Sequence, residues 1–272
     1  MKALTAIAIM FTVALSGAAL ADNVAYNGFV DTTGLTLNGS AATTATTDGT
    51  VMRLTPAAGN RAGSIFSSTL TDATDFSTNF QFRITNPGGS VFDNNDEPGA
   101  DGLVFVVQPI DSTLGGAGLG IGYSGIGTSV GVEFDTWGNA ANNDPSQSHV
   151  GIDLNGSVNH GTVAPYTANQ FSPEFDDGDL WSVWIDYDGA TLEARWSTSA
   201  NRPANAMLSR TLDIPGILGQ DTAYVGFTSA TGAAWANHDL VRWEYTEYIV
   251  PEPASAMLIA AAAAPLLLRR KR

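Results

Sequence analysis

Glu133 and Asp135 are two acidic residues separated by one aromatic residue, within the segment VGVEFDTW. If this segment is an extended strand, both carboxylates point to one face while Val132 and Phe134 point to the other. Two carboxylates this close on a central strand repel each other and lose hydration. The pair therefore predicts a bound cation that offsets their charge.

Three more potential ligands follow the acidic pair. Asn139 and Asp144 lie in the polar loop NAANNDP, where the proline favours an extended Asp144 before a turn. His149 opens the next apolar segment, HVGID, and antiparallel pairing of that segment with residues 130–137 would bring it beside Glu133. Oxygen ligands suit Ca²⁺, whereas a site that adds Glu133 and His149 suits a transition ion such as Mn²⁺.

Each of these residues also has an ordinary interpretation. Asp and Asn in a loop of this composition are most often solvated turn residues, and a single His is most often unliganded. Glu133 could equally lie near an exposed sheet edge. The joint spacing of the residues, rather than any one of them, favours a metal site.

The rest of the sequence supplies the strands that must position these residues. Short segments of alternating or nearly alternating polarity are separated by Gly, Asn, Asp and Thr turns. They are Leu35–Leu37, Val51–Leu54, Phe80–Ile84, Val183–Tyr187 and Leu240–Tyr245. Leu103–Val107 and Val130–Phe134 are apolar more continuously, which predicts central strands. This pattern indicates an all-β sandwich or barrel, formed by residues 22–249 as a single domain.

The composition excludes several classes of function. The chain has 272 residues, with 12 Lys and Arg against 27 Asp and Glu, for a net charge of −15. Because binding to nucleic acid relies on neutralising phosphates, we expect no nucleic-acid partner. The absence of Cys excludes disulfides, thiol nucleophiles and thiolate metal sites.

The two ends of the chain have the pattern of targeting segments. Lys2, an apolar run and the small residues Ala19-Leu20-Ala21 predict a signal peptide over residues 1–21, removed by signal peptidase during export. Residues 250–272 begin with Val-Pro-Glu-Pro and continue with an apolar run and a basic cluster.

That C-terminal order resembles the PEP-CTERM sorting signal of Gram-negative bacteria. The resemblance implies recognition by an exosortase, transient membrane anchoring, and delivery to the cell surface, outer envelope or exopolysaccharide matrix. An ordinary tail anchor is the alternative, although the apolar run of residues 254–268 is shorter than the roughly 20 residues that span a bilayer.

The metal-ligand segment resembles that of the legume-type (L-type) lectins, which carry Glu-Phe-Asp-Thr-aromatic, then Asn, Asp-Pro and His at this spacing. Other segments agree with the family in order along nearly all of residues 22–249. They are LTLNGSA at 35–41, FSTNFQFRI at 76–84, ADGLVFVVQ at 100–108, LGGAGLG at 114–120, VGFTSATG at 225–232 and HDLVRWEY at 238–245. The resemblance implies a concanavalin-like jelly-roll β-sandwich of antiparallel sheets and calcium-dependent, non-catalytic carbohydrate binding.

The resemblance also implies two sets of metal ligands. The calcium ligands match Asp135, the backbone carbonyl of Trp137, Asn139 and Asp144. The transition-metal ligands match Glu133 and His149, together with Asp135 and Asp144. The serine that supports this second site in plant members has no clear counterpart, because Gly156 shifts the register and leaves Asn159 or His160 at its place. Occupancy of the second site is therefore left open.

The family's sugar contacts can be matched in the same way. Asp101 matches an aspartate that accepts hydrogen bonds from two sugar hydroxyls, and in the family the Ala-Asp bond before it is cis. Asn139 matches an amide donor, and Gly116 matches a backbone N–H donor, with Gly115 as the alternative. The ring of Trp137 would pack on the apolar face of a pyranose.

Specificity in the family depends on a variable loop that matches residues 233–237. Trp235 would form one wall of the sugar pocket there. The identity of the monosaccharide and the possibility of a homo-oligomer stay open.

Two other functions are alternatives. Glycoside hydrolases of the same sandwich resemble Glu-x-Asp-x-x-Glu, and Glu133 and Asp135 begin that pattern, but Gly138 stands where the second Glu is required. The other alternative is a structural matrix protein with a degenerate sugar site, which the joint presence of Asp101, Asn139 and Asp144 disfavours. We expect a partner glycan or exopolysaccharide and no enzymatic activity.

Overall fold

Two antiparallel β-sheets pack face to face in this protein, which confirms the predicted all-β sandwich. The computed structural model describes residues 24–92, 99–113, 115, 118–161 and 166–246. The predicted signal peptide and sorting tail lie outside the described residues, so both stay predictions. Within the part of the chain that is described, no helix has the length and apolarity needed to cross a membrane.

The described residues contain sixteen strands, one short α-helix and one turn of 3₁₀-helix. The strands of the first half are β1 (Val24–Asn27), β2 (Leu35–Gly39), β3 (Ala42–Thr46), β4 (Gly49–Thr55), β5 (Ala62–Ser67), β6 (Thr71–Asp72), β7 (Phe76–Gly89), β8 (Gly102–Gln108) and β9 (Val130–Asp135). The remaining strands are β10 (His149–Leu154), β11 (Thr167–Asn169), β12 (Trp181–Tyr187), β13 (Thr191–Ser197), β14 (Leu208–Thr211), β15 (Thr222–Ala230) and β16 (Ala234–Thr246). The 3₁₀ turn is Ala140–Asn142, and the α-helix is Ile214–Leu218, whose first turn is capped by Asp213.

The strand order places the predicted central strands inside one sheet. The first sheet runs β14-β13-β12-β7-β16-β4-β3, with β1 paired to β16. The second runs β11-β10-β9-β8-β15-β5-β2, with β6 paired to β15. Leu103–Val107 lies in β8 and Val130–Phe134 in β9, so the prediction that these segments are central is confirmed.

Aromatic side chains from both sheets fill the space between them. The rings of Phe80 and Phe227 lie 4.8 Å apart, those of Phe227 and Trp243 lie 5.0 Å apart, and both pairs meet edge to face. Phe134 joins this core from β9, with its ring 5.8 Å from that of Phe80. Since Phe134 is committed to the core, its neighbours Glu133 and Asp135 must point to the outer face of the second sheet.

A second, smaller core covers that outer face. Ile121, Tyr123 and Ile126, from the segment between β8 and β9, pack there with Val104 and other apolar side chains. This cover explains why β8 is apolar on both faces. It also leaves Glu133 out of contact with bulk water, with a side chain that is 0% exposed.

Candidate functional site

β9 and β10 bring the first predicted ligands together. The two strands pair antiparallel, with His149 opposite Asp135 and Gly151 opposite Glu133. His149 therefore reaches Glu133 diagonally across the pair, and its Nε2 lies 3.2 Å from Glu133 Oε1. The predicted proximity of His149 and Glu133 is confirmed.

A second imidazole, that of His160, completes a buried group around Glu133. Its Nε2 lies 2.8 Å from Glu133 Oε1 and 3.0 Å from His149 Nε2. Although both ring nitrogens are this near, both Glu133 oxygens are buried without a hydrogen-bond partner. The three side chains each offer one ligand atom within 4.8 Å of the others. A carboxylate and two imidazoles in this arrangement suit a transition ion.

The loop after β9 gathers the oxygen ligands. Asp144 Oδ2 accepts a hydrogen bond from the Asn139 backbone N–H at 2.6 Å, and Asp135 Oδ1 accepts one from the Trp137 N–H at 2.5 Å. Asp135, Asp144 and His149 also place one ligand atom each within 4.8 Å of the others. Burial, and after it the charges of Glu133 and Asp144, raise the pKa of Asp135 well above its usual value. A divalent cation would relieve this crowding of negative charge.

The side-chain amide of Asn139 is oriented with its nitrogen, rather than its oxygen, toward the Trp137 carbonyl. Its Nδ2 donates a hydrogen bond to the Trp137 carbonyl at 3.2 Å. Two oxygens facing each other would repel, so the amide nitrogen is the favourable neighbour of that carbonyl. Calcium binding by the side-chain oxygen of Asn139 and the carbonyl of Trp137 therefore requires a half-turn of the amide plane.

Asp101 lies directly before β8, whose first residue, Gly102, pairs with Asp135. The Ala100-Asp101 bond is cis, as in the resembling family. The Asp101 N–H donates to the Ala230 carbonyl at 3.0 Å, and its carbonyl accepts from the Thr136 N–H at 3.1 Å. Asp101 is 5% exposed, its Oδ2 has no hydrogen-bond partner, and burial raises its pKa to about 7. A buried acceptor without a donor indicates a group that the donor of a ligand could satisfy.

A closed ring of buried hydrogen bonds holds the backbone next to Asp101. The Gly102 N–H donates to His238 Nε2 at 3.1 Å, so the proton of this imidazole is on Nδ1, which donates to Thr55 Oγ1 at 2.7 Å. Thr55 Oγ1 then donates to Ser229 Oγ at 3.0 Å, and Ser229 Oγ donates to the Gly102 carbonyl at 2.7 Å. Because the ring satisfies both backbone groups of Gly102, it fixes the direction in which the chain enters β8.

We expect this ring to make the folded protein less stable as the pH is lowered. Burial lowers the pKa of His238 to about 3, from an ordinary value of 6.5. Below pH 6.5 the unfolded chain takes up a proton that the folded chain refuses, so the free energy of unfolding should fall by up to about 1.4 kcal/mol per pH unit until pH 3.

The measurement is urea unfolding at pH 7 and pH 5, with chelator present so that metal release does not contribute. His238→Gln should remove this component, so that the variant loses less stability than the parent between the two pH values. Equal losses in parent and variant would show that His238 is not the group responsible.

The structure differs from the sequence-based expectation at the predicted variable loop. Residues 234–237 belong to β16, where Ala234 pairs with Gly89 and Trp235 with Gly88. The expectation of a loop over 233–237 is therefore wrong, because β16 continues along the long partner strand β7 and the connection from β15 is limited to residues 231–233.

The aromatic and glycine assignments have mixed outcomes. The Trp235 indole packs on the backbone, since a Cβ added at Gly88 would come within 2.6 Å of its Nε1. Trp137 is half-buried at the start of the ligand loop. Gly116 lies outside the described residues, whereas Gly115 is exposed beside Ser64. The sugar-binding roles of these residues stay predictions.

Sequence reasoning missed two residues of the site, Asp153 and His238. It named a third, His160, only as one of two alternatives. The register left Asn159 or His160 beside the second metal site; His160 lies in the cluster, while Asn159 is exposed and bonds to the Ala141 carbonyl. Asp153 Oδ1 lies 3.9 Å from His160 Nδ1, and His238 lies in the ring beside Asp101. The scarcity of histidine was a signal that could have found the two histidines. The chain has only three His residues, and they lie beside Glu133 or beside Gly102.

Comparison with known proteins gives one consistent family. Residues 21–258 match the model of the legume lectin domain. An L-type lectin-domain containing receptor kinase of Oryza sativa subsp. japonica, SIT2, is 30% identical over 251 residues, covering 84% of this chain and 36% of the kinase. A galactose-binding lectin of Arachis hypogaea is 29% identical over 193 residues, covering 68% of this chain and 65% of that lectin. The chain thus spans about a third of the first relative and less than two thirds of the second.

Solved structures agree with the fold. A lectin from Bauhinia forficata, in complex with GalNAc, has a TM-score of 0.66 at 23% identity, covering 82% of this chain and 96% of that chain. Peanut lectin with a nine-residue peptide has a TM-score of 0.65 at 24% identity, covering 86% and 100%. Identities this low show the fold alone.

The lectins among these relatives are non-catalytic carbohydrate-binding proteins, in agreement with the expectation of a non-catalytic domain. The family model covers most of the sequence, from the predicted end of the signal peptide to beyond β16. The chain therefore belongs to the legume lectin (L-type lectin) family.

Proposed function

We propose that this protein is a calcium-dependent, non-catalytic lectin that is exported to the surface or exopolysaccharide matrix of a Gram-negative bacterium. The observation that carries the sugar-binding part is Asp101, a buried carboxylate with one unpartnered oxygen. Its backbone is held on one side by the His238 ring and on the other by the loop of candidate metal ligands. An acceptor kept rigid in this way suits the recognition of sugar hydroxyls.

Space beside that oxygen supports the same interpretation. Gly232, in the turn between β15 and β16, has no side chain, and a Cβ placed there would meet only Asp101 Oδ2, at 3.8 Å. The turn thus leaves room for a ligand group to approach the carboxylate. Asn139, the backbone N–H of Gly116 or Gly115, and the rings of Trp137 and Trp235 are the further sugar contacts that we propose.

The donor set fits calcium at the loop after β9. Asp135, Asp144 and the Trp137 carbonyl provide only oxygen, and Asn139 adds another oxygen once its amide has made the half-turn described above. The raised pKa of Asp135 indicates that its surroundings disfavour an uncompensated negative charge. Glu133 and His149 would hold a second, transition-type ion. Bound calcium would supply the positive charge that keeps these oxygens together. The loop would then hold the backbone beside Asp101 through the Thr136–Asp101 hydrogen bond.

The hydrolase alternative is weaker on physical grounds. Glu133, the first carboxylate of the hydrolase pattern, is fully buried and has two imidazoles within 3.2 Å of Oε1. A carboxylate enclosed in this way has no access to a glycosidic oxygen. Gly138 stands in place of the acid.

Export and sorting rest on the sequence of the two ends. Residues 1–21 have the pattern of a signal peptide, and residues 250–272 have that of an exosortase substrate. The acidic composition of the domain between them suits a protein that works outside the cell, where it must stay soluble in salt- and calcium-containing surroundings.

A glycan array, run with calcium and with chelator, tests the proposed function. We expect binding in calcium that is lost in chelator and restored when calcium is returned. Galactose and N-acetylgalactosamine are the first probes, because one relative is named a galactose-binding lectin and one structural neighbour was solved with GalNAc. Binding that chelator leaves unchanged would contradict calcium dependence. Turnover of a polysaccharide, lost in Glu133→Gln, would replace the lectin proposal with the hydrolase.

A further inference from the structure

His160 gives the second candidate metal site a composition that the family resemblance does not supply. The resemblance assigns one imidazole, His149, and places a supporting serine where this chain has Asn159 or His160. In the structure the His160 ring lies in the cluster itself, with Nε2 2.8 Å from Glu133 Oε1 and 3.5 Å from Asp144 Oδ1. Nothing about a supporting serine requires so close an approach.

We propose that His160 is a direct metal ligand, and that the Glu133–His149–His160 set binds a late first-row ion of the zinc class in preference to manganese. This inference rests on the metal-binding part of the proposed function and is independent of the sugar. Replacing an oxygen or water ligand by a second imidazole favours Zn²⁺, Co²⁺ or Ni²⁺, whereas Mn²⁺ prefers carboxylate and water.

The orientation of His149 supports a ligand role. Its Nδ1 lies 3.1 Å from the Ser146 carbonyl, which can only accept a hydrogen bond, so Nδ1 carries the proton. In the neutral ring Nε2 is then a free lone pair, and it points into the cluster with Glu133 Oε1 and His160 Nε2. Fixing a ligand imidazole through its other nitrogen is the usual arrangement around bound metals.

His160 lies near a buried carboxylate, that of Asp153. The Nδ1 of His160 lies 3.9 Å from Asp153 Oδ1, and the other carboxylate oxygen of Asp153 is buried without a hydrogen-bond partner. A small shift would let Nδ1–H donate to Asp153, which would leave Nε2 free to bind metal. Asp153 is therefore a positioning residue in this proposal.

The backbone makes room for the second ring at Gly151. This residue pairs with Glu133 across β9 and β10. A Cβ added there would come within 2.5 Å of Glu133 Oε1 and 2.9 Å of His160 Cε1. The space that a side chain at this position would take is filled by the His160 ring and the Glu133 carboxylate, which converge on one point with both Glu133 oxygens unpartnered.

Calorimetric titration of the purified full chain tests the proposal. The protein is stripped with chelator and refilled with saturating calcium, and Zn²⁺ or Mn²⁺ is then added. We expect Zn²⁺ to bind at least about tenfold more tightly than Mn²⁺. His160→Ser should weaken Zn²⁺ by about 10- to 100-fold and change Mn²⁺ much less. Gln220→Ala, at an exposed residue whose side chain bonds to Thr222 outside the cluster, is the control and should leave both affinities unchanged.

A second measurement does not depend on a variant that folds. Crystals of the parent protein soaked in Zn²⁺ should show anomalous density about 2.0–2.1 Å from Nε2 of both His149 and His160. Equal affinities for the two metals, an unaffected His160→Ser, or a zinc ion bound without His160 would each overturn the proposal. If zinc binds as expected but the protein binds no glycan on the array, the lectin proposal fails and the zinc proposal stands.

Discussion

Replacing Asp101 by alanine should weaken glycan binding by at least about 100-fold while the sandwich stays folded. Above pH 7 the Asp101 carboxyl is ionised. Each hydrogen bond to a charged acceptor contributes about 1.5–3 kcal/mol, and the proposed role of Asp101 is to accept two of them from the sugar. The loss of both corresponds to a hundredfold or more in affinity. The measurement is a binding titration with the best array ligand, accompanied by a thermal melt.

The stability of the variants separates a binding role from a structural one. Asp101 buries a carboxylate whose Oδ2 has no donor, so Asp101→Asn should melt no lower than the parent protein although its binding is also lost. Asp111, which follows the other end of β8 and accepts a hydrogen bond from the Thr113 N–H, is the matched control. Asp111→Asn should bind as the parent does. A well-folded Asp101→Ala that keeps its affinity would remove Asp101 from the sugar site.

The strands that carry the site were predictable because each is constrained by nearby sequence. Phe134 must enter the core, and this places Glu133 and Asp135 on the opposite face without knowledge of any distant residue. The turn between β9 and β10 is similarly local, so the approach of His149 to Glu133 followed from antiparallel pairing. The alternation of side chains along β9 and the short connection between β9 and β10 were sufficient to predict this part of the site.

The parts that were not predictable depend on contacts between remote residues. The ring beside Asp101 joins Thr55 to residues 174 and 183 positions later in the chain, and nothing in the local sequence of any of the three shows that they meet. The position of His160 depends on the path of the loop after β10, in which Gly156 has a positive φ of 70° and lies against the backbone of the remote Ile126. The length of β16 was missed for the same reason, since its first residues pair with the remote strand β7.

Removing calcium should lower the melting temperature of the protein by about 5 to 10 °C. A ligand that binds only the folded state at a hundred times its dissociation constant stabilises it by about 2.7 kcal/mol. A domain of this length shifts by about 2 to 4 °C per kcal/mol. The expected shift is measured by melting the protein in excess calcium and again in chelator.

Asp144 shows whether the shift comes from the loop after β9. Its Oδ2 already accepts the Asn139 N–H, so the carboxylate both shapes the loop and faces the other proposed ligands. Asp144→Ala should therefore melt lower than the parent in calcium and show almost no further fall in chelator. Asp177→Ala, which removes a loop carboxylate that accepts the Glu174 N–H elsewhere on the surface, should keep the full calcium-dependent shift. If Asp144→Ala and Asp177→Ala responded alike to chelator, the calcium that stabilises the protein would have to lie outside the Asp135–Asp144 loop, and the link between metal binding and the backbone beside Asp101 would be lost.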